Sequence, residues 1–246
     1  MKCLIDFGNS RCKWALQKTG NPLSTDTYRY NSSNTQERVN EVLNVISFKD
    51  CSEIHIVSVL GKDFEQYFKE ALSKVTSIDA VFHIVETDNH GIKLSYSDPS
   101  TYGVDRYAAI IAAYHSSQRS TIVIDCGTAI TVDAVDKSGN HLGGLIMPGA
   151  GLMRSLLVNN AAMIPELEHD HPVKLLNHTT QDALHSGTVL TLRFGLQAII
   201  QDIQDQMAGD AEVYVAGGEI ALLGLKDLDC IHRPNLVLEG LEIMLG

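Results

Sequence analysis

The chain has 246 residues, of which 44% are hydrophobic and 20% charged, and this composition is typical of a folded globular protein and excludes a largely disordered one. Its 30 acidic and 19 basic residues give a net charge of −11, and since no basic run concentrates the cations, nucleic acid is not an expected partner. The five cysteines are widely spaced and form no C-x-x-C pair, which favours a reducing compartment. A charged residue close to the start of the sequence argues against a signal peptide, and no apolar run is long enough for a membrane helix, so the cytoplasm is the expected location.

The first predicted element is a β-hairpin. An apolar run ends in Asp6, and alternating residues after the turn lead out along a second strand. Gly8 permits a turn that directs backbone N–H groups at a ligand, and Lys13 is positioned to meet an anion. Asp6 would reach a phosphate only through a bridging metal ion. A plain hairpin with an Asx turn is the alternative, because Asp-x-Gly turns are common.

Helices and strands alternate in the next stretch of the chain. The periodicity predicts helices over 34–48 and 63–75 and strands over 54–59 and 81–85. Asn34 and Asp63 are the expected N-caps of the two helices. This alternation indicates a mixed α/β architecture.

A loop with candidate catalytic residues precedes the third predicted helix. Gly103 breaks the chain before Val104, and Asp105 and Arg106 then open a helix that ends near Ser117. The helix dipole would keep Asp105 ionised, as a general base for an alcohol requires, and Arg106 could orient an anionic or hydroxylated substrate. The alternatives are a helix cap for Asp105 and a surface ion pair for Arg106.

A second hairpin repeats the pattern of the first. Another apolar run ends in Asp125, and Gly127 and Thr128 form the turn. Two hairpins of this kind predict a clamp for the phosphates of a nucleotide. They also predict two α/β domains of similar topology, 1–118 and 119–246, with a cleft between them.

Glycines mark the turns of the second half. Residues 149–151 are predicted to form a flexible turn, and a long helix is predicted over 180–207. A strand over 212–216 ends at Gly217 and Gly218, where bare backbone would let an adenine ring approach; a purely structural turn is equally consistent. A last helix is predicted over 236–245.

Taken together, these motifs resemble those of type III pantothenate kinases, within the superfamily of acetate kinase, sugar kinases, actin and chaperone ATPases. The matching segments, in chain order, are Asp6-Phe7-Gly8-Asn9-Ser10 with Lys13, Tyr96-Ser97-Asp98-Pro99, Gly103-Val104-Asp105-Arg106, Asp125-Cys126-Gly127-Thr128-Ala129, Pro148-Gly149, Ile164-Pro165, Asn177-His178-Thr179-Thr180, Ser186-Gly187, Ala216-Gly217-Gly218 and 234–241. The resemblance covers nearly the whole chain, and the Gly-x-Asp-Arg element between two Asp-x-Gly hairpins is its most specific part.

The resemblance implies a fold of two ribonuclease H-like, actin-like ATPase domains and an activity, the ATP-dependent phosphorylation of pantothenate, which is the first step of coenzyme A biosynthesis. It also implies a homodimer in the cytoplasm. The cofactors are ATP with Mg²⁺ and a monovalent cation, K⁺ or NH₄⁺.

The resemblance also assigns roles to residues. The residues implied to bind ATP are Asp6, Phe7, Gly8, Asn9, Ser10, Arg11, Cys12, Lys13, Thr128, Gly217 and Gly218. Those implied to bind pantothenate are Tyr96, Gly103, Val104, Asp105, Arg106 and Thr180. Asp105 is the implied catalytic base and Asp125 the implied ligand of the monovalent cation. Thr179 competes with its neighbour Thr180, and Ala216 stands where many relatives have Thr, which removes a hydroxyl from the adenosine motif.

The charges of these carboxylates require cations. If Asp6, Asp105 and Asp125 converge on a triphosphate, each like-charge contact costs on the order of 4 kcal/mol at an effective dielectric of about 20. Mg²⁺ on ATP, a monovalent ion at Asp125 and the ammonium of Lys13 would supply the compensating charge. A kinase of this design is therefore expected to depend strictly on cations.

Two other functions fit parts of the pattern. A kinase for another small hydroxy acid would have the same fold and would differ only in its substrate. A non-catalytic ATP-binding regulator, such as a transcriptional accessory protein, would be favoured by loss of Asp105 or of either hairpin, and the sequence retains all three.

Overall fold

The computed structural model describes residues 1–18, 23–161, 172–225 and 229–246; the Ile164-Pro165 segment of the family pattern lies outside them. The strands are β1 (Lys2–Phe7), β2 (Arg11–Gln17), β3 (Ser24–Arg29), β4 (Glu53–Ser58), β5 (Ala80–Phe82), β6 (Asp88–Asn89), β7 (Ile92–Lys93), β8 (Ser120–Cys126), β9 (Ala129–Val135), β10 (His141–Pro148), β11 (Ala211–Gly217) and β12 (Ile231–His232). The helices are α1 (Thr35–Val45), α2 (Lys62–Leu72), α3 (Val104–Ser117), α4 (Ala150–Asn160), α5 (Thr180–Gln206), α6 (Ile220–Leu223) and α7 (Leu236–Ile243), with a 3₁₀ turn at Pro99–Thr101.

The described chain divides into two compact units. The first consists of Met1–Ser116 together with Asn235–Gly246, and the second of Ser117–Pro234. Helix α7 belongs to the first unit because it packs on β1, β2 and β4, and a side chain at Gly240 would collide with the backbone of Ala108 in α3. The predicted division into 1–118 and 119–246 stays a prediction, and it did not foresee this grouping of the C-terminal helix.

The first unit contains a five-stranded sheet in the order β3-β2-β1-β4-β5. Strand β1 is antiparallel to β2 and parallel to β4, so the hairpin predicted from the sequence lies at the centre of the sheet. Alternate residues of β1 and β2, including Phe7 and Cys12, are buried in a core with α1 and α2. Asp6 and Lys13 therefore project from the opposite face of the sheet.

The second unit repeats this topology in a sheet of order β10-β9-β8-β11-β12. Here β8 is antiparallel to β9 and parallel to β11, the same relations that β1 has with β2 and β4. Its core gathers apolar residues of β8, β9, β11 and the long helix α5. The internal repeat predicted from the two hairpins is thus present as two sheets of like order.

Most predicted elements are present, with shifted ends. Helix α1 is capped as predicted, because the Asn34 side chain accepts hydrogen bonds from the N–H groups of Gln36 and Glu37. The prediction of Asp63 as an N-cap is wrong: α2 begins one residue earlier, after Gly61, and Asp63 lies in its first turn. The strand predicted over 81–85 is shorter and ends at Phe82.

Several elements were not predicted, namely β3, β6, β7, β12 and α4. The edge strand β3 is mostly exposed and has few apolar residues, so its periodicity is weak. Residues 149–151 do not form a flexible turn, because Gly149 is the N-cap of α4. Within the described residues, no helix has both the length and the apolar character that crossing a lipid bilayer requires.

Candidate active site

The first hairpin has a tight backbone turn between its two strands. The N–H of Gly8 donates to the carbonyl of Arg11 at 3.1 Å, and a side chain at Gly8 would approach that same carbonyl. Asn9 lies exposed in the turn. Asp6 and Lys13 are cross-strand partners on the sheet face opposite the core with α1 and α2. The hairpin therefore presents a carboxylate, an ammonium and backbone amides together, a combination that suits a metal-bound phosphate.

Two residues of this hairpin can contact a ligand only through their backbone. Phe7 is buried against the rings of Phe64 and Phe68, at centroid distances of 4.9 and 5.0 Å. Cys12 is buried in the same core. Burial, with a smaller effect of the nearby Asp6 carboxylate, raises the pKa of the Cys12 thiol well above its usual range. Cys12 is therefore a neutral thiol at physiological pH and has no role as a nucleophile.

The second hairpin turns at Gly127 and Thr128. The N–H of Gly127 donates to the carbonyl of Ala129 at 3.1 Å, and Thr128 is exposed. Asp125 is half-buried at the end of β8, and its Oδ1 would lie 3.7 Å from a side-chain carbon placed on Gly127. The missing side chain leaves space beside a hard oxygen donor. A carboxylate oxygen is the kind of ligand that hard cations take.

The glycine turn after β11 packs directly on the second hairpin. Strand register places Gly217 beside Cys126, and a side chain on Gly217, whose φ is +101°, would collide with the Cys126 backbone. Gly218 follows, exposed. Of the residues implied to bind ATP, the structure thus brings Thr128, Gly217 and Gly218 to one edge of the second sheet.

Asp105 lies in the first turn of α3, which begins at Val104. Its Oδ1 accepts the N–H of the next residue, Arg106, at 2.8 Å, a contact that satisfies one amide of the first helical turn without making Asp105 the N-cap. Gly103 is required by this geometry, because a side chain there would press against the Asp105 Oδ1. The helix N-terminus stabilises the charged form of a carboxylate at this position.

Arg106 is buried, with a relative exposure of 7%. Its guanidinium carbon lies 4.5 Å from the ring centroid of Tyr102 and 5.9 Å from that of Tyr96, and Nη1 donates to the Tyr96 hydroxyl at 3.4 Å. The alternative of a surface ion pair is therefore wrong. The structure brings Tyr96, Gly103, Val104, Asp105 and Arg106 together, because the Pro99–Thr101 turn returns the chain to the start of α3.

The structure places Thr179 and Thr180 in different environments. Thr179 is the N-cap of α5: its hydroxyl donates to the Asp182 carboxylate at 2.7 Å and accepts the N–H of Asp182 at 3.1 Å. Thr180 is the first residue of the helix and is exposed.

Two residues at these sites received no role from the sequence motifs. Tyr102 directly precedes the Gly-x-Asp-Arg element, but its ring contact with Arg106 depends on the fold. Glu219 directly follows the glycine turn, and its carboxylate accepts the N–H groups of Ala150 and Gly151 at 2.8 and 3.2 Å. No sequence signal indicates that contact, because the partners lie 69 and 68 positions away.

The repeated sheet topology and the two turn-bearing hairpins define an actin-like ATPase fold of the kind found in sugar kinases. Two solved structures of low identity support this fold. A Campylobacter jejuni protein described as a Baf family transcriptional activator aligns over 99% of this chain and 97% of its own, with a TM-score of 0.62 and 20% identity. The activator of 2-hydroxyisocaproyl-CoA dehydratase from Clostridium difficile, with bound ADPNP, aligns over 99% and 93%, with a TM-score of 0.51 and 10% identity. The predicted fold class is confirmed.

Residues 3–202 match the sequence model of the type III pantothenate kinase family. The type III pantothenate kinase of Nitrosococcus oceani is 30% identical over 98% of this chain and 92% of its own length. That of Hahella chejuensis is 32% identical over 98% and 95%. The chain belongs to the type III pantothenate kinase family, as the sequence motifs predicted.

Proposed function

We propose that this protein transfers the γ-phosphoryl group of ATP to the primary hydroxyl of pantothenate, giving 4'-phosphopantothenate in the first step of coenzyme A biosynthesis. The observation that carries the proposal is the loop around Asp105 in a chain of this family. There the Asp105 carboxylate lies at a helix start and accepts the main-chain N–H of Arg106, whose guanidinium is buried against Tyr96 and Tyr102. One loop thus carries a proton acceptor and an anion-binding group.

The phosphates of ATP are held by two kinds of group. In the first hairpin, Lys13 supplies a cation and the turn residues Asn9 and Ser10 supply backbone amides. The Gly8 N–H is bound to the Arg11 carbonyl, so Gly8 acts through the turn geometry, and Phe7, Arg11 and Cys12 act through the main chain or the strand geometry. In the second unit, the Thr128 hydroxyl contacts the nucleotide, and Gly217 and Gly218 expose backbone to the adenosine. The exposure of Thr128 and Gly218 supports these roles.

Asp105 accepts the proton of the substrate hydroxyl as the phosphoryl group transfers. An alcohol is too weak an acid to ionise beforehand, so the base acts in the transition state and the attack is in line with the leaving oxygen. Arg106 binds the carboxylate end of pantothenate, since a planar guanidinium matches that group. Tyr96, Gly103 and Val104 complete the substrate loop.

Cations offset the negative charge of the reacting groups. Mg²⁺ enters with ATP, and Asp6 is the carboxylate suited to meet it. Asp125 holds K⁺ or NH₄⁺, for which its half-buried oxygen donor and the space over Gly127 are suitable. When bound, that ion would lower the electrostatic cost of phosphates near this carboxylate.

The protein acts as a homodimer in the cytoplasm, and Thr180 contacts the substrate near the subunit interface. Exposed apolar side chains on α4 of the second unit support dimerisation: Leu152, Leu156 and Leu157. Among the described residues, no atom would come within 4 Å of a side-chain carbon placed on Gly187 or Gly195 of α5, which leaves room for a close helix contact. Because the Thr179 hydroxyl is engaged by Asp182, Thr180 is the better substrate contact.

The test is a coupled assay of ATP conversion to ADP with pantothenate, Mg²⁺ and K⁺, run beside a panel of other hydroxy acids and sugars. Turnover that requires pantothenate, with a product one phosphate heavier by mass spectrometry, is the expected result. Turnover with a different acceptor would identify a kinase of altered specificity. Nucleotide binding without turnover of any acceptor would contradict the proposal in favour of a regulatory protein.

A further inference from the structure

Glu219 caps a helix from a distant part of the chain. Its Oε2 accepts the N–H of Ala150 at 2.8 Å, and its Oε1 accepts the N–H of Gly151 at 3.2 Å. The N-cap of α4 is Gly149, which has no side chain to perform this task. The carboxylate of Glu219 therefore satisfies amides that would otherwise lack an acceptor within the helix.

The backbone of Glu219 is tied to the second hairpin. Its N–H donates to the carbonyl of Cys126 at 3.1 Å, at the end of β8. On the other side, the N–H of Gly149 donates to the carbonyl of Thr128 at 2.9 Å. These bonds form a closed ring that runs from the hairpin through Glu219 to α4 and back to the hairpin turn.

The turns that these hydrogen bonds connect are in close backbone contact with each other. A side chain on Gly149 would collide with the carbonyl of Gly127, and one on Gly217 would collide with Cys126. Contacts this close leave the turns little freedom, provided that the hydrogen bonds between them are maintained. The Glu219 bonds are the strong ones of the set, because a carboxylate accepts them and the positive end of the helix dipole adds to them.

We propose that Glu219 is a positioning residue for the nucleotide: it holds the Thr128 turn and the Gly217-Gly218 turn at a fixed separation. The inference rests on the proposed function, in which these turns contact ATP.

The Glu219 carboxylate also has a second effect, on the N-terminus of α4. A helix N-terminus with free amides attracts phosphate, and Glu219 occupies that end of α4, so the phosphates of ATP are left to the hairpin.

The experiment compares Glu219→Ala and Glu219→Gln with Asp202→Asn, a charge-removing control at an exposed position of α5 in the same unit. Isothermal titration calorimetry gives the Kd of Mg²⁺-bound AMPPNP, and steady-state kinetics give KM for ATP and for pantothenate. Without these two bonds the turns are no longer held at their separation, and the cost of ordering them on binding is expected to weaken nucleotide binding by roughly tenfold in Glu219→Ala. Glu219→Gln keeps one acceptor oxygen and is expected to lose less. The KM for pantothenate should stay within about twofold of wild type, and the control should match wild type throughout.

Two results would overturn the inference. One is an unchanged nucleotide Kd in Glu219→Gln and Glu219→Ala. The other is an equal rise in both KM values, which would mark Glu219 as a general stabiliser of the fold. If Glu219→Ala does not fold, the near-isosteric Glu219→Gln decides by the same comparison. Failure of the proposed function would instead appear in the wild-type protein, as absence of pantothenate turnover, and the AMPPNP titrations would still decide the role of Glu219.

Discussion

Asp6 of β1 lies directly opposite Lys13 of β2, and both side chains leave the sheet on the face opposite the core that contains α1 and α2. Opposite charges in this position stabilise the hairpin by up to about 1 kcal/mol. The pair also places a cation within reach of any anion that approaches the turn at Gly8. The same two residues thus serve the stability of the sheet and the proposed binding of phosphate.

Lys13→Met is expected to weaken ATP use while the fold is retained, because the methionine keeps an unbranched side chain as far as the ε position and removes the charge. A lost hydrogen bond to a charged group predicts a fall in kcat/KM for ATP of roughly ten- to a hundredfold. Steady-state kinetics measure this change, with Lys93→Met, an exposed lysine of β7, as the control. An ATP dependence equal to that of wild type would contradict the role of Lys13.

Asp105→Asn is expected to abolish phosphorylation while ATP still binds. The amide cannot accept the proton of the hydroxyl, and loss of a general base costs roughly a hundred- to ten-thousandfold in kcat. Single-turnover kinetics and nucleotide titration separate the two effects. The control is Asp79→Asn, which neutralises an exposed carboxylate of the same unit. Near-normal turnover in Asp105→Asn would remove this residue as the base.

Replacement of K⁺ by Na⁺ is expected to collapse activity, and Asp125→Ala should have a similarly low rate in either ion. The charge of Asp125 near the nucleotide must be offset by a cation. K⁺ is larger than Na⁺ and gives up its hydration water to an oxygen ligand at a lower cost. Initial rates over a series of K⁺, NH₄⁺ and Na⁺ concentrations measure this dependence. Equal rates in K⁺ and Na⁺ would refute the role given to Asp125.

The stability of the protein is expected to fall at high pH through Cys126. Burial, helped by the nearby Asp125 and Glu219 carboxylates, raises its pKa from 9.0 to about 12. The folded state therefore binds a proton that the unfolded state releases above its ordinary pKa. The contribution of this thiol to the free energy of unfolding is fully present below pH 9 and is lost as the pH rises towards 12. Over that range the free energy of unfolding falls by up to about 1.4 kcal/mol per pH unit.

Urea unfolding between about pH 8 and pH 11 measures this effect. Other groups titrate in the same range, so the comparison is with Cys126→Ala, whose stability curve should be flatter by the contribution of one proton. At about pH 7.5, iodoacetamide should leave Cys126 unmodified in the folded protein. Rapid alkylation at that pH, or parallel stability curves, would contradict the prediction.

The dimer is expected to depend on the apolar face of α4. Leu156 is 50% exposed, and its change to Asp would place a charge in the proposed interface. Sedimentation velocity should show a dimer for wild type and a monomer for Leu156→Asp, and the monomer should lose activity with pantothenate. Leu176→Asp, at an exposed position outside the helices, is the control. An active monomer would contradict the shared-site role of Thr180.

Several features were predictable from the sequence because they depend on neighbouring residues. Alternating apolar residues and Asp-x-Gly turns indicated both hairpins, and helical periodicity indicated α3 and α5. The similar topology of the two units followed from the repeat of the hairpins, since a repeated motif predicts a repeated topology, whereas the order of the strands came from the structure. The Gly-x-Asp-Arg element gave the family.

Other features were decided by tertiary structure, because their partners are distant in sequence. The carboxylate of Glu219 meets amides of α4, and Arg106 is buried over Tyr102 instead of lying in a surface ion pair. Helix α7 packs on β1 at the other end of the chain. Local periodicity determines which residues form a strand, a turn or a helix. Only the packing of those elements determines which buried polar groups become partners, and that packing sets the geometry of the candidate site.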